Sequence, residues 1–120
     1  MAPYRLAHAT LNGPQTAGLQ LYLAEIRRLP RLEPTEEARL LRRIGHGDTG
    51  ALDEMAVRNL GLVADVVAHE ADEDGGIFDR LERGNQALLE AIIAFARSGR
   101  RDFRSYARSY IRRTIRGLMQ

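Results

Sequence analysis

The 120-residue chain predicts an all-α fold, a compact helical bundle, and three observations carry that prediction. Apolar residues recur every three or four positions in successive stretches, the spacing that puts them on one face of a helix. Strict apolar–polar alternation, the mark of a half-buried strand, occurs nowhere. Proline, glycine and capping residues divide the periodic stretches into helix-length pieces.

Taken in order, residues 1–17 contain Pro3, Gly13 and Pro14 without sustained periodicity and read as a flexible leader. A helix is expected over about 19–29, with Leu19, Tyr22, Leu23 and Ile26 on one face. Pro30 and Pro34 then impose an extended connection, since proline disfavours helical geometry in the residue before it. Thr35 is the expected N-cap of the next helix, with Glu36 and Glu37 in its first turn where the helix dipole favours acids. That helix carries Leu40, Leu41 and Ile44, and Gly45-His46-Gly47 closes it. Asp48 is a second N-cap, before Ala51, Leu52, Met55 and Ala56. The pattern continues or kinks near Asn59 into Leu60, Leu62, Val63, Val66 and Val67. Residues 69–76, rich in Asp and Glu, read as a loop. A long helix over 77–96 places Leu81, Leu88, Leu89, Ile92 and Phe95 on one side, with Asn85 inside that stripe. A buried amide must be satisfied, and a neighbouring backbone is the usual partner. Gly84 permits close helix approach. Asp79, Glu82, Arg83, Gln86 and Glu90 form a polar stripe on the same helix.

Asp102 is the expected N-cap of the last helix, whose apolar face is Phe103, Tyr106, Ala107, Tyr110, Ile111, Thr114, Ile115 and Leu118. Arg101, Arg104, Arg108, Arg112 and Arg116 fall mostly opposite. At the border Tyr106, Ser109, Tyr110 and Arg113 fall at i, i+3, i+4 and i+7 and so gather into one strip. Cations for phosphates beside flat rings for unstacked bases are what single-stranded nucleic acid requires; a solvated amphipathic helix uses the same pattern.

Charge supports the first use. The formal net charge is only +2, but residues 97–116 hold eight arginines against one acid, while residues 70–82 hold six acids against one base. Such segregation points to two different partners. All 18 basic residues are arginine, which the codon bias of a GC-rich genome explains; whatever its origin, arginine stacks and binds phosphate bidentately in ways lysine cannot.

Other chemistries find no footing. There is no cysteine, hence no disulfide and no thiolate metal site. His8, His46 and His69 lack metal-ligand spacing. The run from Glu70 resembles the start of a calcium loop, but its twelfth position is Leu81 instead of the bidentate glutamate. No phosphate loop or nucleophile elbow occurs, so no enzyme, metal or cofactor is indicated. With no run of membrane-spanning length and no signal-peptide core, the expectation is a cytoplasmic protein without a membrane partner.

From about Leu19 to Leu118 the chain resembles the sigma-70 family of bacterial transcription initiation factors, over the part called regions 1.2 to 2.4, or domain 2. The segments that carry the resemblance are L-Y-L-A-E-I-R-R-L-P-R-L-E-P-T-E-E-A-R-L-L-R-R-I-G-H-G-D, R-N-L-G-L-V-A-D-V-V-A, L-E-R-G-N-Q-A-L-L-E-A-I-I-A-F and F-R-S-Y-A-R-S-Y-I-R-R-T-I-R. It implies a domain over residues 18–120, with 18–58 like region 1.2 and 59–120 like region 2. It further implies binding of core RNA polymerase, through the clamp helices of its largest subunit, and of the single-stranded non-template −10 element of promoter DNA.

By position, Tyr106 matches the tyrosine that stacks on a flipped base. Ser109 and Tyr110 stand where primary factors have two tryptophans, and Arg113 where they usually have glutamine. Asn59 and Leu62 match a pocket for a second flipped base, and Tyr22 and Leu23 match positions near the discriminator. Arg100, Arg101, Phe103, Arg104, Ser105, Arg108, Arg112 and Arg116 complete the implied DNA-binding set. Asp79, Glu82, Arg83, Asn85 and Gln86 match the polymerase-binding surface.

The chain departs from the family at Ser109, at Arg83, where an acid is typical, and in the acidic 70–76 stretch, where bases are usual. Nothing in the 120 residues matches the later helices that read the −35 element. These departures keep a second reading open: a stand-alone regulator that occupies the polymerase clamp and inhibits or retunes initiation without reading DNA.

Overall fold

A computed structural model describes residues 15–70 and 76–118. The described residues form six helices and no strand: α1 (Gln15–Arg28), α2 (Pro34–Gly45), α3 (Thr49–Val57), α4 (Leu60–Glu70), α5 (Ile77–Ser98) and α6 (Phe103–Leu118). The acidic residues 71–75, the leader as far as residue 14 and the side chains of Leu19 and Leu118 lie outside the described residues.

Several boundaries differ from the expected ones for local reasons. α1 begins at Gln15, four residues before the expected start. The N-cap of α2 is Glu33, not Thr35, because Pro34 suits the first helical position, where its missing N–H costs nothing. The Glu36 carboxylate closes that end by accepting from the Glu33 N–H at 3.3 Å. α2 ends at His46 and Gly47, the latter at φ 88°. Asp48 caps α3 as expected, its side chain accepting from the Ala51 N–H at 3.0 Å. The chain breaks at Arg58 and Asn59, and Asn59 Nδ2 donates to the Met55 carbonyl at 2.8 Å. His69 and Glu70 belong to α4, not to a loop.

α5 is the central helix. It packs most extensively on α6 and also touches α2, α3 and α4, while α1 rests on α4. Leu81, Ala87, Leu88, Ala91 and Ile92 from α5 meet Ala107, Ile111 and Ile115 from α6 and Val63 and Val67 from α4, all essentially inaccessible. Gly84 sits at that junction: a Cβ there would meet Val63 Cγ1 at 2.7 Å, with Ile111 and Ile115 close behind. The absence of that one carbon sets how closely α4 and α6 can approach α5. Buried Asn85 finds a side chain instead of a backbone group, its Nδ2 lying 3.3 Å from the Tyr22 hydroxyl.

Candidate nucleic-acid interface

The site is built outward from the α5–α6 turn. Gly99 closes α5 at φ 68°. The Ser98 hydroxyl donates to the Phe95 carbonyl at 2.8 Å and accepts from the Arg100 N–H at 3.1 Å. Asp102 then adopts φ 65°, a left-handed conformation that aspartate tolerates better than most residues. Its carboxylate accepts from the Ser105 N–H at 3.3 Å and the Ser105 hydroxyl at 2.8 Å. Those two bonds, the hydroxyl first, hold the Asp102 pKa below its ordinary value. Ser105 is therefore exposed but spent on the cap of α6.

This turn launches α6 with an aromatic ladder along one edge. Phe103 and Phe95 meet edge to face at 5.3 Å, Phe95 and Tyr106 at 5.4 Å, and Tyr106 and Tyr110 at 6.3 Å. The two phenylalanines are buried and the two tyrosines half-buried, so the ladder runs from core to surface. Guanidiniums lie over the exposed end, Arg100 at 5.7 Å from the Tyr106 ring and Arg113 at 5.9 Å from the Tyr110 ring. The Tyr110 hydroxyl donates to Glu90 of α5 at 3.3 Å. Partial burial, then the Glu90 charge, raises its pKa above the ordinary tyrosine value. A hollow of about 510 Å³ opens beside the strip, lined by Arg100, Arg101, Tyr106, Ser109 and Arg113 among others. The predicted strip of Tyr106, Ser109, Tyr110 and Arg113 thus exists on the surface of α6.

The remaining arginines are not a freely solvated face: Arg104, Arg108 and Arg112 are half-buried, Arg108 and Arg112 beside α4 and Arg104 at the start of α2. A cleft of about 590 Å³ separates the start of α2 from the α5–α6 turn, with Arg31, Glu37, Arg100, Arg101 and Arg104 in its wall. Burial, then the neighbouring Arg31 and Arg108 charges, lowers the Arg104 pKa from its ordinary value. Burial likewise raises the Glu37 carboxyl, against the opposing pull of Arg104 and Arg31. Arg31 and Glu37 were not expected at this site. They lie far from α6 in sequence, and periodicity carries no sign of that meeting.

Several predicted contact residues lie inside the bundle. Tyr22, Leu62 and Phe103 are core side chains at 1–2% exposure, and Asn59 is buried at 6%. None of the four presents a surface to a ligand in this conformation; each sits where the bundle's apolar residues converge, and Asn59 spends its amide on the break before α4. Leu23 is half-buried against the same core. Asn85, expected on the polymerase-binding surface, is 5% exposed beneath α1. Asp79, Glu82, Arg83 and Gln86 do lie exposed on the outer face of α5, clear of the core stripe. Arg101, Arg113 and Arg116 are exposed as well.

Fold and site together define an all-helical domain: an α-bundle with an arginine-flanked aromatic strip on α6 and a polar stripe on α5. Curated relatives make the class specific. The chain is 35% identical over 96 residues to the RNA polymerase sigma factor RpoS of Coxiella burnetii, covering 80% of this chain and 27% of that protein. It is 33% identical over 97 residues to SigA of Clostridium acetobutylicum and 32% identical over 97 residues to SigA of a Bacillus species, in each case 81% of this chain and 26% of the relative. No protein-family model matches the chain. The chain belongs to the sigma-70 family of RNA polymerase sigma factors over that span, and it covers about a quarter of the length of the relatives it matches. Among the described residues no helix is long and apolar enough to cross a membrane.

Proposed function

We infer that the chain serves in transcription initiation, docking on core RNA polymerase and holding the unpaired non-template strand of a −10-like element. The observation that carries the reading is the half-exposed Tyr106–Tyr110 pair with Arg100 and Arg113 over its rings. Rings supply a stacking face that any unpaired base can use, and guanidiniums supply both phosphate contacts and a cation above the ring. Arg101 and Arg104 extend the positive surface toward the α2 cleft, which gives an extended strand a continuous path. The second partner, the polymerase clamp helices, takes the Asp79, Glu82, Arg83 and Gln86 face of α5. That face is solvent-exposed, and the relatives are RNA polymerase sigma factors.

Ser109 sits on the strip where a large ring would add stacking area, so opening of a duplex by this chain depends on the polymerase. The test is binding of a −10-like single strand at low salt, with and without core polymerase. Wild type should prefer single strand to duplex, and Tyr106→Ala should lose about 1–3 kcal/mol through lost stacking. Asp79→Arg with Glu82→Arg should abolish polymerase association without changing the fold. A strand affinity indifferent to Tyr106→Ala, with polymerase binding intact, would leave the regulator that binds polymerase without reading DNA.

A further inference from the structure

Beside the aromatic strip, on the side of α6 that faces α4, a different arrangement occupies the arginines. The Glu70 carboxylate, at the end of α4, receives Arg116 as a two-pronged fork, Nε to one oxygen and Nη2 to the other, each at 3.2 Å. Arg112 Nε approaches the same carboxylate at 3.5 Å. Glu70's side chain is only 17% accessible, while those of Arg112 and Arg116 remain 43% and 60% accessible. These three residues, with Val66, His69 and Arg108, line a hollow of about 340 Å³.

A guanidinium fork that fits a carboxylate also fits two oxygens of a phosphate, so the carboxylate marks where a phosphate would sit. Among the described residues that line the hollow, three arginines stand against one glutamate, so an incoming phosphate is still attracted with Glu70 in place. Partly exposed ion pairs are individually weak and screened by salt, so Glu70 is displaceable. We propose that Glu70 is a built-in competitor for nucleic-acid phosphate, a carboxylate that holds Arg112 and Arg116 until a backbone phosphate takes its place. This rests on the nucleic-acid reading above and adds to it: two arginines that a sequence would count as phosphate ligands contribute little in the unmodified chain.

The test uses the full chain as wild type, Glu70→Gln, Arg116→Ala and the double variant. Inorganic pyrophosphate is titrated in while the arginine Nε–H resonances of residues 112 and 116 are followed by NMR. Glu70→Gln should respond at roughly tenfold lower pyrophosphate than wild type, about the worth of one charge-assisted contact. Arg116→Ala should erase that difference. Equal responses of wild type and Glu70→Gln overturn the proposal without reference to DNA.

A second arm measures single-strand affinity against salt. Glu70→Gln should steepen the slope by about 0.7 for each phosphate gained. Arg116→Ala should weaken the strand binding of wild type less than twofold but that of Glu70→Gln severalfold. Equal losses in both backgrounds overturn the competitor. If the pyrophosphate difference holds while no variant binds a strand even at low salt, the nucleic-acid occupant is overturned and the phosphate seat stands. Should Glu70→Gln fail to fold, Arg116→Ala alone decides: a wild-type slope flattened by one full phosphate contact refutes the competitor.

Discussion

Single atoms decide two features of this molecule. The missing Cβ of Gly84 leaves room for Val63, and a methyl group placed 2.7 Å from a β-branched side chain cannot be absorbed by a rotamer change. Alanine gains about 1 kcal/mol over glycine in a helix interior, but overpacking a core costs about 1–3 kcal/mol. The second term wins, so Gly84→Ala should lower the melting temperature even though it improves helix propensity; a rise would show that α4 can shift away. The other feature is the Tyr110 hydroxyl bonded to Glu90. Its raised pKa means the folded state favours the protonated phenol, so this contribution is fully present below the ordinary tyrosine value and is lost as pH rises through the raised one. In an ultraviolet titration Tyr110 should ionise later than a free tyrosine, and Glu90→Gln should bring it back part of the way. Burial, the larger cause, stays in place.

At the scale of elements, the start of α6 controls where the aromatic strip points. Asp102 does two things there: it accepts the bonds that cap the helix, and it takes the left-handed turn that aims α6 back along α5. Asp102→Gly should keep the turn and lose the cap, whereas Asp102→Ala loses the cap and strains the turn. The alanine variant should therefore melt below the glycine variant, although alanine is the better helix former; the reverse order would show that the backbone strain is negligible. Asp102 is held below the usual carboxylate pKa, so its cap is present above that value and is lost as pH falls through the lowered one. Fraying of α6 at acid pH, followed by exchange of the Ser105 and Tyr106 amides, measures it.

For the whole molecule, the packing of α4, α5 and α6 around Ile111 is the test of integrity. Ile111 is fully inaccessible, and burying an unpaired carboxylate there costs more than a domain of this size can spare. Ile111→Asp should leave the chain unfolded at room temperature by circular dichroism, a loss of about 4–5 kcal/mol or more. Wild-type melting would place that face on the surface. The same packing sets the aromatic strip on α6 beside the polar stripe of α5, and the two meet where the Tyr110 hydroxyl donates to Glu90.

What the sequence determined alone is whatever depends on neighbours within one or two turns. The helical stretches, the caps at Asp48 and Asp102, the strip from Tyr106 to Arg113 and the polar stripe from Asp79 to Gln86 all follow from spacings of three and four residues, and the structure keeps them, while the break at Asn59 makes six helices of the four to five that periodicity alone suggests. The sigma-70 resemblance was legible for the same reason, since its segments are contiguous. Only the tertiary structure decided which helix faces are covered and by what. It put Tyr22, Asn59, Leu62, Asn85 and Phe103 inside, brought Glu90 to Tyr110 across 20 residues and Glu70 to Arg116 across 46, and set Arg31 beside Arg104. Helical periodicity says that a face is apolar or charged, but burial and charge pairing depend on which other helix lies against it, and that information is spread over the whole chain.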